Sequence, residues 1–333
     1  MPEFRQNLAT KEWVIVSPER AKRPSDFKIE KGEKEPVPPF AEDCPFCPGN
    51  ENHTPPDIYR FPREGNWQVR VVPNKFAALK SNLATTRTRV GTFLAAKGFG
   101  IAEVVIESPR HNSHPALMNI EEVIEVLKAY RARHEEISKN ADINLITIFR
   151  NHGPRAGTSL EHPHSQIIAT PIVPPHVRYP LEQAVLHFDN VGRCVYCDMI
   201  EEERKQKERL IFDTDNFLAF SPYAARTPFE SRIYPKRHMT VFSQITDSEI
   251  EDLAWVLRNV LLKLHVCLNN PDYNYIIRSA PVGEDNARYL HWYMVIIPKI
   301  TTRAGFEIGS GIYINSVPPE DCARYLRETN PEA

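Results

Sequence analysis

The sequence lacks any long apolar run and any surplus of charge of one sign. None of its 333 residues belongs to an apolar stretch that approaches the length of a membrane-spanning helix, which is about 18 residues. The formal net charge of −2 gives no bulk attraction for nucleic acid or for an anionic membrane. A phosphate-bearing ligand would therefore have to be held by a local cluster of side chains.

Glycine is scarce beside proline, with 13 residues against 29. This balance predicts short elements joined by many rigid connections. The first residues, MPEFRQNLATKEW, contain no apolar run after a basic start, so no signal peptide is expected and a cytoplasmic protein is predicted. With 41% apolar and 25% charged residues, the chain can bury a full core and is long enough for two domains or one duplicated domain.

Cysteine is also sparse, and four of the six cysteines form two C-x-x-C pairs. Cys44 pairs with Cys47 in CPFC, and Cys194 pairs with Cys197 in CVYC. In a reducing compartment such pairs are metal ligands or redox dithiols rather than structural disulfides. Both alternatives remain open for each pair considered alone.

A dense group of polar side chains lies in residues 149–170, FRNHGPRAGTSLEHPHSQIIAT. In an extended strand, residues two apart face the same side. His162, His164 and Gln166 are therefore predicted to project together into the space beside the glycine-containing loop. Two imidazoles on one face indicate metal ligands or a nucleophile with its support, and two solvated surface histidines are the alternative.

The order of motifs in the first half of the chain is repeated in the second. Each half contains a C-x-x-C pair, a strand followed by a histidine, a long amphipathic helix (residues 119–139 and 246–268) and a last strand with a histidine. We interpret this order as an internal duplication. The prediction is an α+β protein of two halves, residues 1–180 and 181–333, each with an antiparallel sheet and a long helix.

Equal spacing supports the duplication, because Glu103 precedes His111 by the same gap as Glu230 precedes His238. Aligning the halves gives each one two cysteines and two histidines, a donor set that predicts a closed tetrahedral zinc site and hence two zinc ions per chain. A redox dithiol would not account for the two histidines that follow each pair. The predicted ligands are Cys44, Cys47, His111 and His162 in the first half and Cys194, Cys197, His238 and His291 in the second.

The two halves differ two residues after the last predicted ligand. His164 follows His162 in the first half, whereas Tyr293 follows His291 in the second. An imidazole that closes a metal site is not free to attack a substrate. His164 is therefore predicted to be the reactive group, and the second half is predicted to be scaffold.

The HPHSQ motif at residues 162–166, preceded by Asn151, Gly157 and Ser159, resembles the active-site signature of galactose-1-phosphate uridylyltransferases. The resemblance extends through SPERAKRP, CPFCPGNE, VVPNKFAAL, SPRH and GFEIG, and so covers nearly the whole chain. It implies a duplicated histidine-triad-like fold, because this family belongs to the histidine-triad superfamily. It also implies a homodimer.

The resemblance implies that His164 attacks the α-phosphorus of a nucleotide sugar such as UDP-glucose and forms a covalent nucleotidyl-histidine. A second phosphate acceptor, galactose 1-phosphate, would then take the nucleotide with ping-pong kinetics. The resemblance also implies that Arg20 and Arg23 bind a nucleotide phosphate. Their spacing alone would also fit a solvated basic turn. The substrate-binding residues expected are Arg20, Arg23, Asn74, Asn151, Gly157, Thr158, Ser159 and Gln166.

The sequence departs from the uridylyltransferase pattern at two places, and there it resembles a plant-type branch of the family described as ADP-glucose phosphorylase. Ser165 stands where many uridylyltransferases have glycine, and the last strand of the second half, LHWYM, has a single histidine. This branch implies AMP on His164 and inorganic phosphate as the acceptor. A nucleotide-sugar hydrolase and a non-catalytic nucleotide-binding module are further alternatives, although a reactive histidine in only one half argues against the module.

Overall fold

The computed structural model of the protein describes residues 1–20, 27–28 and 37–331. Its strands are β1 (Glu3–Gln6), β2 (Trp13–Val16), β3 (Tyr59–Phe61), β4 (Val69–Pro73), β5 (Arg87–Val90), β6 (Phe93–Ala96), β7 (Ile101–Ile106), β8 (Leu145–His152), β9 (His164–Thr170), β10 (Leu210–Asp213), β11 (Phe217–Phe220), β12 (Ser231–Pro235), β13 (Tyr273–Arg278), β14 (Tyr293–Pro298) and β15 (Tyr313–Asn315). Its helices are α1 (Ile120–Ser138), α2 (Pro175–Val191), α3 (Val195–Gln206), α4 (Asp247–Leu268), α5 (Gly305–Ser310) and α6 (Pro319–Glu328).

Strands from both halves of the chain form one continuous antiparallel sheet. Its ten strands run in the order β10-β11-β12-β14-β13-β8-β9-β7-β4-β3. Read from the centre outwards, each half supplies five strands in a matching order, and the two sets meet where Phe149 of β8 lies opposite Ile276 of β13. The predicted duplicated α+β architecture is confirmed, while the boundary at residue 180 remains a prediction.

The two long helices begin with the same capping arrangement. Asn119 Oδ1 accepts a hydrogen bond from the Glu122 backbone at 2.8 Å, and the Glu122 carboxylate accepts one from the Asn119 backbone at 2.9 Å. Thr246 and Glu249 repeat this exchange at the start of α4. These bonds satisfy backbone donors that would otherwise lack partners. None of the helices in the described part of the chain is long and apolar enough to cross a membrane.

Helices α1 and α4 pack side by side on one face of the sheet, which we call the helix face. Leu127 of α1 and Leu257 of α4 are fully buried there with Val105, Ile167 and Ile277 of the sheet. Because alternate strand residues point to opposite faces, the residues between them project to the other side, which we call the outer face. That face carries the cysteine and histidine side chains of the predicted metal sites.

The equal spacing from Glu103 to His111 and from Glu230 to His238 aligns β7 with β12 in the wrong register. Glu103 lies on the helix face, where Arg133 of α1 binds it at 2.6 and 2.9 Å. Glu230 instead holds Arg232 at 2.9 Å in a cavity on the outer face. Strand pairing shows that the second half is offset by one residue at this point, so the two glutamates do not correspond even though the histidines that follow them do.

A small second sheet joins the two ends of the chain. Strand β2 pairs antiparallel with β1 and parallel with β15. Strands β1 and β15 contain four and three residues, which is too short for an alternating pattern to stand out.

Candidate active site and metal centres

The four predicted ligands of the first half converge on the outer face. His162 Nδ1 lies 3.6 Å from the Sγ atoms of both Cys44 and Cys47 and 3.3 Å from His111 Nδ1. Cys47 Sγ lies 3.5 Å from the same His111 nitrogen. All four side chains are buried. Ligands more than a hundred residues apart in the chain therefore meet within one small volume.

These spacings fit a tetrahedral metal ion. Bonds of about 2.3 Å to sulfur and about 2.05 Å to nitrogen separate tetrahedral ligands by about 3.5 Å for sulfur to nitrogen and about 3.3 Å for nitrogen to nitrogen. His162 Nε2 donates to the Ser108 carbonyl at 2.8 Å, which leaves the Nδ1 lone pair for a metal. Burial lowers the pKa of His162 to about 4, so its imidazole is neutral at pH 7.

The second half repeats this arrangement with less burial. Cys197 Sγ lies 3.4 Å from His238 Nδ1 and 3.7 Å from His291 Nδ1, and Cys194 completes the group. His291 Nε2 donates to the Pro235 carbonyl at 2.9 Å, as the corresponding histidine of the first cluster does to a carbonyl. Cys197 is half-buried and His238 is exposed. Both clusters are candidate metal sites, and the second is the more open to solvent.

The CPFC turn is shaped to present sulfur atoms to the first cluster. The backbone N–H groups of Phe46 and Ala41 donate to the Sγ atoms of Cys44 and Cys47, each at 3.4 Å. Such donors stabilise a thiolate. A metal in this cluster would tie the turn to His162, two residues before the first residue of β9, and so fix the start of that strand.

His164 is the first residue of β9 and lies on the outer face beside this cluster. Its Nδ1 donates to the His162 carbonyl at 2.8 Å. Because a carbonyl only accepts hydrogen bonds, this contact places the proton on Nδ1 and the lone pair on Nε2. Burial lowers the pKa of His164, so the ring is neutral at pH 7. A neutral imidazole with an available lone pair is a competent nucleophile.

His164 borders a cavity of about 520 Å³. Three residues predicted to bind substrate, Asn74, Ser159 and Gln166, share its wall. Apolar surface is supplied by Pro45, Phe46, Pro55, Val72, Pro73, Phe76, Val104 and Leu160. The cavity thus combines a neutral imidazole, polar side chains able to donate hydrogen bonds to phosphate oxygens, and apolar surface suited to a base or sugar ring.

Three further predicted residues shape the loop beside the cavity rather than its wall. Asn151 Oδ1 accepts from Asn274 Nδ2 at 2.8 Å, and Asn151 Nδ2 donates to the Gly157 carbonyl at 3.5 Å. Thr158 Oγ1 donates to the Leu160 carbonyl at 3.1 Å. Gly157 has a φ of 91°, in the left-handed region that favours glycine. Contact of these residues with substrate remains a prediction.

The predicted N-terminal phosphate ligands lie outside the part of the chain that the structure describes. This applies to the side chain of Arg20 and to the whole of Arg23. Their role in binding a nucleotide phosphate therefore remains a prediction.

A buried polar network that no sequence motif indicates lies on the helix face behind His164. The Glu107 carboxylate binds the Arg150 guanidinium and accepts from the Tyr130 hydroxyl at 3.0 Å. Arg150 Nη1 donates to the His164 carbonyl at 3.2 Å, and the Tyr275 hydroxyl lies 2.6 Å from that of Tyr130. Burial lowers the pKa of the Arg150 guanidinium, but the charge of Glu107 acting together with the neighbouring Tyr273, Tyr275 and Tyr130 outweighs this effect, so the pKa of Arg150 is raised.

The fold and this site agree with a match to two family models. The N-terminal domain of galactose-1-phosphate uridyl transferase matches residues 1–174, and the C-terminal domain matches residues 176–315. Together the two models span most of the chain. The chain belongs to the galactose-1-phosphate uridyl transferase family and is an enzyme of the uridylyltransferase type.

Individual relatives refine this assignment. The ADP-glucose phosphorylase of Arabidopsis thaliana is 40% identical over 334 residues, which cover 99% of this chain and 93% of that protein. The galactose-1-phosphate uridylyltransferase of Thermotoga maritima is 30% identical over 341 residues, covering 100% of both. The crystal structure of an Arabidopsis thaliana ADP-glucose phosphorylase with bound ADP-glucose has a TM-score of 0.86 at 37% identity and covers 99% of each chain. The resemblance drawn from the motifs is confirmed.

Proposed function

We propose that this enzyme transfers a nucleoside monophosphate from a nucleotide sugar to a phosphate-bearing acceptor through a covalent intermediate on His164. The observation that carries the proposal is the hydrogen bond from His164 Nδ1 to the His162 carbonyl. It leaves the lone pair on Nε2, in a residue that borders a cavity with phosphate-binding groups on its wall.

In the first step, His164 Nε2 attacks the α-phosphorus of the nucleotide sugar. A phosphorus–nitrogen bond forms while the bond from the α-phosphorus to the bridging oxygen breaks, and sugar 1-phosphate leaves with that electron pair. Positive charge develops on the imidazole as the bond forms. Donation from Nδ1–H to the His162 carbonyl stabilises this charge.

In the second step, an oxygen of the acceptor phosphate attacks the same phosphorus from the solvent side. A phosphorus–oxygen bond forms, the phosphorus–nitrogen bond breaks, and neutral His164 is restored. Phosphate oxygens are largely ionised at pH 7, so the acceptor needs no general base. Ser159 and Gln166 are placed on the cavity wall to donate to the α-phosphate oxygens as charge accumulates on them.

We propose zinc for both metal clusters. Two thiolates and two neutral imidazoles form a donor set that zinc prefers, and four protein ligands leave no open position for substrate. The ion would supply structural support rather than Lewis-acid chemistry. In the first half this support fixes His162, whose carbonyl orients the nucleophile.

Two substrate pairs fit this chemistry. The first is UDP-glucose with galactose 1-phosphate, and the second is ADP-glucose with inorganic phosphate. Identity of 40% to the Arabidopsis thaliana ADP-glucose phosphorylase, against 30% to the Thermotoga maritima uridylyltransferase, favours the second pair. Both pairs require the same nucleotidyl-His164.

The proposal is tested with ADP-glucose and UDP-glucose, each carrying ³²P at the α-phosphate. We expect an acid-labile label on the wild-type protein and none on His164→Ala. His187→Ala is the matched control, because this histidine lies on α2 and binds Asp198 at 2.7 Å, away from the cavity. Absence of label from both sugars, or full labelling of His164→Ala, would contradict the mechanism.

A chase then identifies the acceptor. Adding inorganic phosphate or galactose 1-phosphate to the labelled enzyme should release labelled ADP or UDP-galactose, respectively. Release of labelled nucleoside monophosphate without either addition would assign a hydrolase. The cytoplasmic location and the homodimer remain predictions, and light scattering of the purified protein tests the second of them.

A further inference from the structure

The second half contains a cavity at the position that corresponds to the active-site cavity of the first half. Val104 lies opposite Gln166 across β7 and β9, and Arg232 lies opposite Val295 across β12 and β14. The strand order is the same in both halves, so these two pairs correspond. The first pair borders the active-site cavity, and the second pair borders a separate cavity on the same outer face.

The same correspondence shows what the second cavity has lost and gained. His164 and Tyr293 lie two residues before the corresponding positions on β9 and β14. Arg278 lies opposite Tyr293 across β13 and β14, and the same register continued along β8 and β9 brings Asn151 opposite His164. The second cavity therefore has a tyrosine at the position of His164 and an arginine at the position of Asn151, which lies beside the first cavity rather than in its wall.

Positive charge exceeds negative charge around the second cavity. Its charged lining residues are Arg226, Arg232, Arg278, Arg303, Glu12 and Glu230. Glu230 binds Arg232 at 2.9 Å, and Glu12 binds Arg226. Within the described ranges, neither Arg278 nor Arg303 has a carboxylate partner. Two guanidinium charges thus face the cavity without compensation.

Tyrosine rings organise this charged lining. The Arg303 and Arg226 guanidinium groups lie 4.9 and 5.2 Å from the centre of the Tyr313 ring. The Tyr293 ring stacks on Tyr234 at 4.9 Å, which fixes its position in the wall. The cavity has a volume of about 430 Å³, within the range of about 300 to 1,000 Å³ that small-molecule sites occupy.

We propose that this second cavity binds a phosphate ester that carries a sugar or base ring, and holds it without turnover. Guanidinium groups bind phosphate oxygens through paired hydrogen bonds, and a bound phosphate would neutralise the charges of Arg278 and Arg303. The flat faces of the tyrosines suit a ring attached to that phosphate. Turnover is absent because Tyr293 replaces the nucleophilic imidazole.

Equilibrium dialysis of the metal-loaded full-length protein with labelled ADP tests this site. We expect two bound ADP molecules per wild-type chain, one in each cavity. Arg278→Gln should weaken the second event about 10- to 100-fold, the size expected for a lost charge-assisted hydrogen bond. It should leave covalent labelling of His164 by a nucleotide sugar unchanged, which separates this site from the proposed active site.

Arg288→Gln is the matched control, because Arg288 is exposed and stacks on Phe188 at 5.4 Å outside the cavity. This variant should retain both binding events. Arg303→Gln provides a second test at an exposed position and should also weaken the second event. One bound ADP per wild-type chain, or two in both cavity variants, would overturn the proposal.

Two further probes separate the parts of the ligand. Glucose 1-phosphate carries a ring on a single phosphate, whereas inorganic phosphate has no ring. We expect Arg278-dependent binding of ADP or glucose 1-phosphate to be at least about 10-fold tighter than that of inorganic phosphate, because only the former contact the tyrosines. Equal affinity for all three probes would overturn the assignment of a ring-bearing ligand.

Discussion

The two halves of the chain have the same strand order and the same kind of cysteine–histidine cluster, yet only the first half has a second histidine two residues after the last residue of its cluster. In the first half His164 follows the cluster on β9, whereas Tyr293 takes the corresponding position on β14. Under the proposed mechanism, the cluster therefore supports the fold in both halves and orients a reactive group only in the first. We therefore propose that the second cluster keeps the structural role of the motif without the catalytic one, so that stability and catalysis are separable functions of the same motif.

The halves also differ in how their clusters are exposed. All four ligands of the first cluster are buried, but in the second Cys197 is half-buried and His238 is exposed. A buried cluster beside a nucleophile excludes water from the ligands and limits their motion. The difference predicts that damage to the two clusters will have unequal consequences.

The largest expected effect is that of removing a ligand from the first cluster. Cys44→Ser should lower the rate of covalent labelling at least about 1,000-fold, because loss of the metal releases His162 and with it the carbonyl that orients His164. Cys194→Ser should lower the rate by less than about 10-fold. Elemental analysis should find one metal ion lost per chain in each variant.

Cys267→Ala is the control for this comparison, since Cys267 is a buried thiol of α4 outside both clusters. It should retain both metal ions. Equal loss of labelling in the two cluster variants would show that the halves do not separate stability from catalysis as proposed.

The next effect concerns the buried network behind His164. Glu107→Gln leaves the Arg150 charge buried without its carboxylate, which should lower the free energy of unfolding by about 3 to 5 kcal/mol. Denaturant unfolding followed by circular dichroism measures this change. Glu136→Gln is the control. It removes an exposed ion pair between Glu136 of α1 and Lys139 and should leave the free energy of unfolding unchanged. A similar result for both variants would show that the buried pair contributes nothing specific.

Metal release should reveal the difference in burial. A chromogenic chelator is expected to remove metal in two phases, with the second cluster at least about 10-fold faster because His238 is exposed. The absorbance of the metal–chelator complex follows both phases. Cys194→Ser should abolish the fast phase alone. Loss of the slow phase in that variant would reverse the assignment.

The smallest expected effect is that of restoring a histidine to the second half. Tyr293→His should leave covalent labelling at one nucleotide per chain, because Val295 stands where Gln166 lies in the first cavity and supplies no donor to the α-phosphate. Peptide mapping of the label measures this outcome. A second labelled position at residue 293 would show that one substitution is sufficient to make the halves equivalent.

The features that the sequence predicted well depend on short, local patterns. The C-x-x-C pairs, the HPHSQ motif and the bounds of the two long helices are each visible within a short stretch of the sequence. The ligand sets also could be predicted, because the duplication supplied two copies of the same order and each copy tested the other. The structure brings each set of four ligand atoms within 4.8 Å of one another.

The features that were missed depend on contacts between distant segments. Glu107 directly follows β7 and Arg150 lies within β8, and their contact follows from the pairing of both strands with β9. The one-residue offset between Glu103 and Glu230 also cannot be seen from the spacing. Counted from corresponding positions on β12 and β7, the chain reaches His238 one residue sooner than it reaches His111, so the distance from each glutamate to its histidine stays the same. Strand β15 is too short to identify before its pairing with β2 is known.

The central claim is that the first half alone forms a covalent bond to the nucleotide, through His164. Its most direct measurement is peptide mass spectrometry after incubation with ADP-glucose and, separately, UDP-glucose, without an acceptor. We expect one nucleoside monophosphate per chain, on the peptide that contains His164 and on no peptide of the second half. An adduct on Tyr293, on another residue, or on none with either donor would contradict it.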